Sequence, residues 1–257
     1  MSADEYVNQI VDKYQVDTSE SSQVYKTAMA FQNLGEQWAG QCLRFVIVSG
    51  SFAKLTAVSS VLAGGSDIDL FISLVPNCKG TMKELYEGLH GFLVGKGFQV
   101  KRQNVSLGIK VGNVAIDFVP GKLQDGGDED HTLYVRRGDT WKKTNVQEHI
   151  HYVLNSGCTK EIRALKIWKR LHGLDFLSFY VELFAIRAIS QNPSNSVAAN
   201  VWTTFQAIRD HLHDWTIIDP ANSNNIISEQ HTYEEKQKIV AQAKASLGKS
   251  DWSQIIW

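Results

Sequence analysis

The run Ser66-Asp67-Ile68-Asp69-Leu70-Phe71-Ile72 limits what this chain can build. Ile68, Leu70, Phe71 and Ile72 ask for burial in a strand, while Asp67 and Asp69 stand two residues apart. Alternate residues of a strand point to the same face, so both carboxylates project together. Two like charges side by side repel and perturb each other's titration. A cation placed between them relieves that repulsion. Oxygen-only donors suit a hard ion such as Mg2+ (or Mn2+), and Mg2+ in turn suits phosphate. Alone, an Asp-x-Asp is better read as strand-end residues bonded to loop amides. Two further features change that balance.

The first is the small-residue turn Val48-Ser49-Gly50-Ser51 upstream. Glycine lets backbone approach a phosphate closely, and the Ser51 hydroxyl and the following amides donate hydrogen bonds. The second is another carboxylate. Gly112-Asn113 predicts a hairpin turn between a strand over 105–111 and one over 114–120. The second strand carries Asp117 in an otherwise apolar segment, where an unpartnered carboxylate is costly. Set beside the Asp67–Asp69 strand, it completes three converging carboxylates. Three are enough to hold two divalent ions for an in-line phosphoryl displacement.

These residues resemble the polymerase-β-like nucleotidyltransferase superfamily: Gly50-Ser51, a spacer, Asp67-x-Asp69, then Asp117 on a later strand. Gly50-Ser51-Phe52-Ala53-Lys54-Leu55-Thr56-Ala57 followed by Ser66-Asp67-Ile68-Asp69 looks most like one branch of it. That branch contains the oligoadenylate synthetases, cyclic GMP-AMP synthase, the bacterial cGAS/DncV-like nucleotidyltransferases (CD-NTases) and the archaeal-type CCA-adding enzymes. The segments 162–168, 178–183 and 218–225 are similar to the helical half of those enzymes. The resemblance spans roughly residues 45–225.

The resemblance implies an α+β fold: a mixed-sheet nucleotidyltransferase core plus a C-terminal helical lobe, with the active site in the cleft between them. The expected divisions are 1–38 (helices bracing both lobes), 39–145 (catalytic core) and 146–257 (helical nucleotide-binding lobe). Asp67, Asp69 and Asp117 are the expected catalytic and metal-binding residues, holding two Mg2+ or Mn2+ ions. Gly50 and Ser51 are expected to cradle the triphosphate. Lys54 either reaches phosphate or is a solvated lysine. The resemblance places Lys166 at the β- and γ-phosphates and Ser178 near the triphosphate. The plainer readings are an edge lysine and a helix N-cap. Asp219 and 222–225 either touch base or ribose or form a helix-terminating turn. Glu182, a charge in an apolar helix, is read as structural and paired with Arg163 or Arg187. The pairs His149/His151 and His211/His213 fall on different helix faces and make no convincing metal site. Trp141, Trp202 and Trp215 could each stack on a base, though most tryptophans are core.

Composition narrows the partners. Lys and Arg total 26 against 27 Asp and Glu, a formal charge of −1. No basic excess signals a long nucleic acid, which favours free NTPs or dNTPs over tRNA. Three cysteines lie far apart without a C-x-x-C, so neither a disulfide framework nor a zinc site is expected. The N-terminal residues are polar and acidic, and no apolar run reaches membrane-span length. The expectation is a cytoplasmic protein, monomeric by default.

Helices are expected over 4–14, from an Asp17-Thr18 cap to about Trp38, and over 81–94, with strands over 44–48 and 98–102. The β-rich part is read as ending near Pro120. The stretch 121–140, with its acidic 125–130, is read as a loop. Helices follow over 162–171, 176–190, 197–211 and 233–247. The expected enzyme uses NTPs or dNTPs to make a short cyclic or linear oligonucleotide signal, in antiviral (anti-phage) defence with a partner effector protein. The alternatives are template-independent extension of an RNA 3′ end and AMP transfer to a protein or small molecule.

Overall fold

The computed structural model describes residues 1–19, 21–59, 67–112, 114–126 and 129–257. Chain contacts divide these into two compact units. A sheet unit holds the described residues among 17–55 and 66–150, and a helical unit those among 1–16, 56–65 and 151–257. The first helix (α1, Ala3–Lys13) belongs to the helical unit and the second (α2, Gln23–Ala39) to the sheet unit. Ser22, not Asp17-Thr18, caps α2, its hydroxyl accepting from the Tyr25 amide.

In the sheet unit, β1 (Leu43–Ser49) runs into the short helix α3 (Gly50–Ala53). Then come β2 (Ile68–Leu74), α4 (Met82–Gly95), β3 (Lys101–Arg102), β4 (Leu107–Val111) and β5 (Val114–Leu123). Thr81 and Glu84 close a capping box on α4, satisfying two amides that the helix leaves open. The sheet order is β1-β2-β5-β4-β3, with β2 and β5 parallel and the other pairs antiparallel.

The sheet does not end near Pro120. Strand β5 continues to Leu123, and β6 (His131–Val135) and β7 (Thr140–Thr144) extend it from there. The alternation His131, Leu133, Val135 was the signal, short and half polar. The acidic loop before β6 is held by ion pairs. Glu129 meets Arg44 through two bonds of 2.8 Å, and Asp130 meets Lys143 at 2.8 Å. Residues 127 and 128 lie outside the described residues.

Residue parity explains the core. Val46, Ile68, Leu70, Ile72, Leu74, Ile116 and Phe118 join Tyr86, Leu89 and Leu93 of α4 in one buried cluster. Helix α2 covers the same face at Gly35, where an added Cβ would lie 3.1 Å from Ile72. Asp69 and Asp117, of the other parity, therefore stand on the opposite face.

Cys42 and Cys78 are joined by a disulfide, which corrects the expectation from cysteine spacing. They are 36 residues apart in sequence, but the pairing of Leu43 with Leu74 brings the segments beside them together. Cys158 is free and buried.

Helix α5 (Val146–Asn155) leads into the helical unit, whose further helices are α6 (Thr159–Leu171), α7 (Ser178–Gln191), α8 (Val197–His211) and α9 (Tyr233–Leu247). A hairpin of β8 (Ile218–Asp219) and β9 (Asn222–Ile226) separates α8 from α9. The core of this unit gathers Trp168, Tyr180, Phe184 and Phe205. Among the described residues, no helix is long and apolar enough to cross a membrane.

Candidate active site

A single row of paired residues crosses the sheet. Ser49 on β1 pairs with Asp69 on β2, Asp69 with Asp117 on β5, and Asp117 with Gly108 on β4. Lys101 on β3 pairs with Gly108 and ends the row. Direct pairing puts the two aspartates on neighbouring strands, side by side on one face. Asp67, two residues before Asp69, is exposed and acts electrostatically on Asp117. The sheet therefore pairs Asp69 with Asp117, 48 positions apart in sequence, and leaves the Asp67 charge near enough to act on Asp117.

Gly50 begins α3 directly after Ser49 and adopts φ +61, a conformation that favours glycine. A Cβ there would overlap the Asp69 carboxylate. The turn and the carboxylate are thus fitted to each other, and only glycine allows the approach. The same holds at Gly108, where a Cβ would lie 2.8 Å from Asp117 Oδ1. Glycine in a strand marks such an approach. The hairpin register could have exposed it: Val111 pairs with Val114, which sets Gly108 opposite Asp117. Asn113 of that turn lies outside the described residues, as does 60–66, which includes Gly65-Ser66.

Asp117 is buried, and its carboxyl is pushed up to about 6. Desolvation is the main cause and the Asp67 charge the next, while hydrogen bonds from Gln103 and Ser106 and the Lys101 charge oppose them. Gln103 Nε2 donates to Asp117 Oδ1 at 2.7 Å. Neither Gln103 nor Ser106 stood out in the sequence, because nothing in their spacing marks a side chain that bonds a carboxylate.

The donor set fits a hard divalent ion in kind. It is all oxygen, and its mutual repulsion is what such an ion relieves. Among the described residues, no three acidic, His or Cys side chains already close on one point.

The remaining expected residues fare differently. Lys54 is buried, not solvated, and caps α3 with its amide bonded to Gly50 O at 3.2 Å. Ser51 follows Gly50 in α3. Lys166 meets Glu182 Oε1 at 2.5 Å, Thr56 Oγ1 at 2.8 Å and Thr56 O at 3.3 Å. All three acceptors are protein groups, so in this structure Lys166 bridges Thr56 and Glu182. They also correct the partner of Glu182, which is Lys166, not Arg163 or Arg187. Arg163 is 8% exposed, and its Nε has no hydrogen-bond partner.

Ser178 is the first residue of α7, not its cap; Leu177 caps it without a side-chain bond. Asp219 is buried, with Oδ1 accepting from the Ala221 amide and Oδ2 from Asn225, each at 2.9 Å. It holds the β8–β9 hairpin, where the plainer reading expected a helix-terminating turn. Of the tryptophans weighed, Trp141 is 65% exposed, while Trp202 and Trp215 pack against the core of the helical unit.

No protein-family model matches the sequence, and a search of curated proteins found no match. Solved structures do match. The Bradyrhizobium diazoefficiens CD-NTase CdnG, in complex with GTP, aligns with a TM-score of 0.75 and 10% identity, over 96% of this chain and 91% of that one. The Elizabethkingia meningoseptica CdnE cyclic dinucleotide synthase, with GTP and Apcpp, aligns with a TM-score of 0.74 and 14% identity, over 97% of this chain and 100% of that one. A cytoplasmic RNA terminal U-transferase aligns at 0.62 and 11% identity, over 96% of this chain and 93% of that one. The chain thus has the polymerase-β-like nucleotidyltransferase fold of the bacterial CD-NTases.

Proposed function

We propose that this chain is a metal-dependent nucleotidyltransferase that joins NTPs or dNTPs into a short cyclic or linear oligonucleotide signal. The observation that carries the reading is the cross-strand pair Asp69–Asp117, with the Gly50 turn fitted against Asp69. Fold likeness to a cyclic dinucleotide synthase supports the product class. A role in antiviral defence, with a separate effector protein, follows from that product class and belongs to the same proposal.

Asp67, Asp69 and Asp117 would hold two Mg2+ or Mn2+ ions, which supply charge neutralisation and a more acidic attacking hydroxyl. The Gly50–Ser51 backbone amides and the Ser51 hydroxyl bind triphosphate oxygens. Asp117, whose carboxyl has a raised affinity for protons, would accept the proton of the attacking hydroxyl. The hydroxyl oxygen bonds to the α-phosphorus, and the bond to the pyrophosphate oxygen breaks.

The test is product formation from each labelled NTP and dNTP with Mg2+ or Mn2+ and no primer, read by mass after phosphatase. A product absent in Asp69→Ala supports the reading; equal product from a folded Asp69→Ala variant refutes it. The likeness to an RNA terminal U-transferase favours a second reading, 3′-end extension of RNA. An RNA primer that is extended, with no primer-free product, selects it.

A further inference from the structure

The residues behind Asp117 form a device of their own. Between β3 and β4 the chain turns through Gln103, Asn104, Val105 and Ser106, and the Gln103 amide bonds Ser106 O at 3.0 Å. Tyr86 of α4, fully buried, directs its hydroxyl at both carbonyls of this turn, 2.9 Å from Gln103 O and 3.1 Å from Ser106 O. From the β6–β7 connection, the Arg136 amide donates to Asn104 O at 2.8 Å and the Arg137 amide to Asn104 Oδ1 at 2.9 Å. The turn is thus held from two sides. Of its polar side chains, Gln103 donates to Asp117 Oδ1 at 2.7 Å, Ser106 helps to lower the same carboxyl's affinity for protons, and Asn104 accepts from the Arg137 amide. Gly108, bare of a side chain, leaves the space in which the Gln103 amide meets the carboxylate, since a Cβ there would lie 2.8 Å from both.

Both donors are neutral. A lysine or arginine in their place would orient the carboxylate equally well but cancel its charge, leaving a weaker metal ligand and a weaker base. An amide and a hydroxyl fix direction and keep the full negative charge.

We propose that the β3–β4 turn is a positioning device for Asp117, in which Gln103 and Ser106 hold one side of the carboxylate and aim the other at the metal and the attacking hydroxyl. This rests on the reading of Asp117 as a metal-binding, proton-accepting carboxylate. Gln103 and Ser106 are positioning residues; they act through Asp117 alone.

The experiment compares wild type with Gln103→Met, which keeps the length and loses the donor, and with Ser106→Ala as a second variant should the first not fold. Three quantities are read: Mn2+ affinity of the nucleotide-free protein by electron paramagnetic resonance, kcat and KM for NTP, and Tm. Losing a hydrogen bond behind a metal ligand typically costs about 10- to 100-fold in affinity or rate. The expected result is a loss of that size in Mn2+ affinity and in kcat, with KM within about twofold, since ground-state nucleotide binding is untouched. Wild-type Mn2+ affinity and kcat in a folded variant overturn the proposal, whether or not Tm falls. If wild type binds Mn2+ but transfers no nucleotide, the proposed function fails while the Mn2+ affinities still decide the positioning role. If wild type binds no Mn2+, both fail.

Discussion

Replacing Lys166 by methionine separates the two roles available to that residue. Lys166 and Glu182 have side chains 3% and 1% exposed, and they meet at 2.5 Å. Methionine preserves much of the volume but removes the Lys166 charge from beside the buried Glu182 carboxylate. Thr56 Oγ1, which donates to Glu182 Oε1 at 3.1 Å, is neutral and does not replace the lost charge. Breaking a buried pair from one side typically costs about 3–5 kcal/mol. At about 2–4 °C per kcal/mol for a protein of this size, Tm should fall by roughly 6–20 °C. The double variant Lys166→Met/Glu182→Leu removes both charges and should recover most of that loss, because an apolar replacement of a buried pair is often neutral or better. Calorimetry of the two single variants and the double variant completes the cycle. An unchanged Tm in Lys166→Met, with a large rise in KM for NTP, would refute the structural role and restore Lys166 as a phosphate ligand.

Asp117 makes metal-free stability depend on pH: its carboxyl moves from an ordinary 3.8 in the unfolded chain to about 6 in the fold, so the folded state binds the extra proton between those values. Stability from this group therefore falls as pH rises through that window, by up to about 3 kcal/mol, and Asp117→Asn should flatten the slope and raise Tm above neutral pH; an unchanged slope in metal-free thermal melts counts against it. Gly50→Ala must place a Cβ on the Asp69 carboxylate at φ +61, which should destabilise by about 1–3 kcal/mol and abolish primer-free product; full activity would show that the turn does not abut Asp69. Unreduced, denatured protein should titrate one thiol of its three cysteines. Reduction, which opens a loop of 36 residues, should cost about 3–4 kcal/mol; three free thiols would refute the bridge.

Much of the candidate site was legible because its signals are local. Asp-x-Asp in an apolar strand, a Gly-Ser turn and a lone aspartate in the second arm of a hairpin each act over a few residues, and strand periodicity alone puts Asp67 and Asp69 on one face. Three helices, 197–211, 233–247 and the first, were found within a residue or so for the same reason. What failed depended on partners distant in sequence. The Lys166–Glu182 bridge joins residues 16 apart on different helices, and the apolar context of Glu182 showed that it needed a cation but not which one. Strand β6 was read as loop, and β7, nearly all of it beyond that stretch, was given no reading, because Trp141-Lys142-Lys143 lacks an apolar face of its own and pairs with β6.

The sequence by itself determined which residues could carry the chemistry: side-chain type and strand parity do not depend on the rest of the chain. It also determined that a mixed α and β fold must hold them, since the hydrophobic period changes from two to about 3.6 along the chain. Tertiary structure decided which of those residues meet. The parallel register of β2 with β5 sets Asp69 against Asp117, the β1–β2 pairing brings the Cys42 and Cys78 segments together, and the β3–β4 turn brings Gln103 to Asp117. Each of these depends on a pairing between segments far apart in sequence. Which distant segments pair is settled by the packing of the whole core, not by either segment alone.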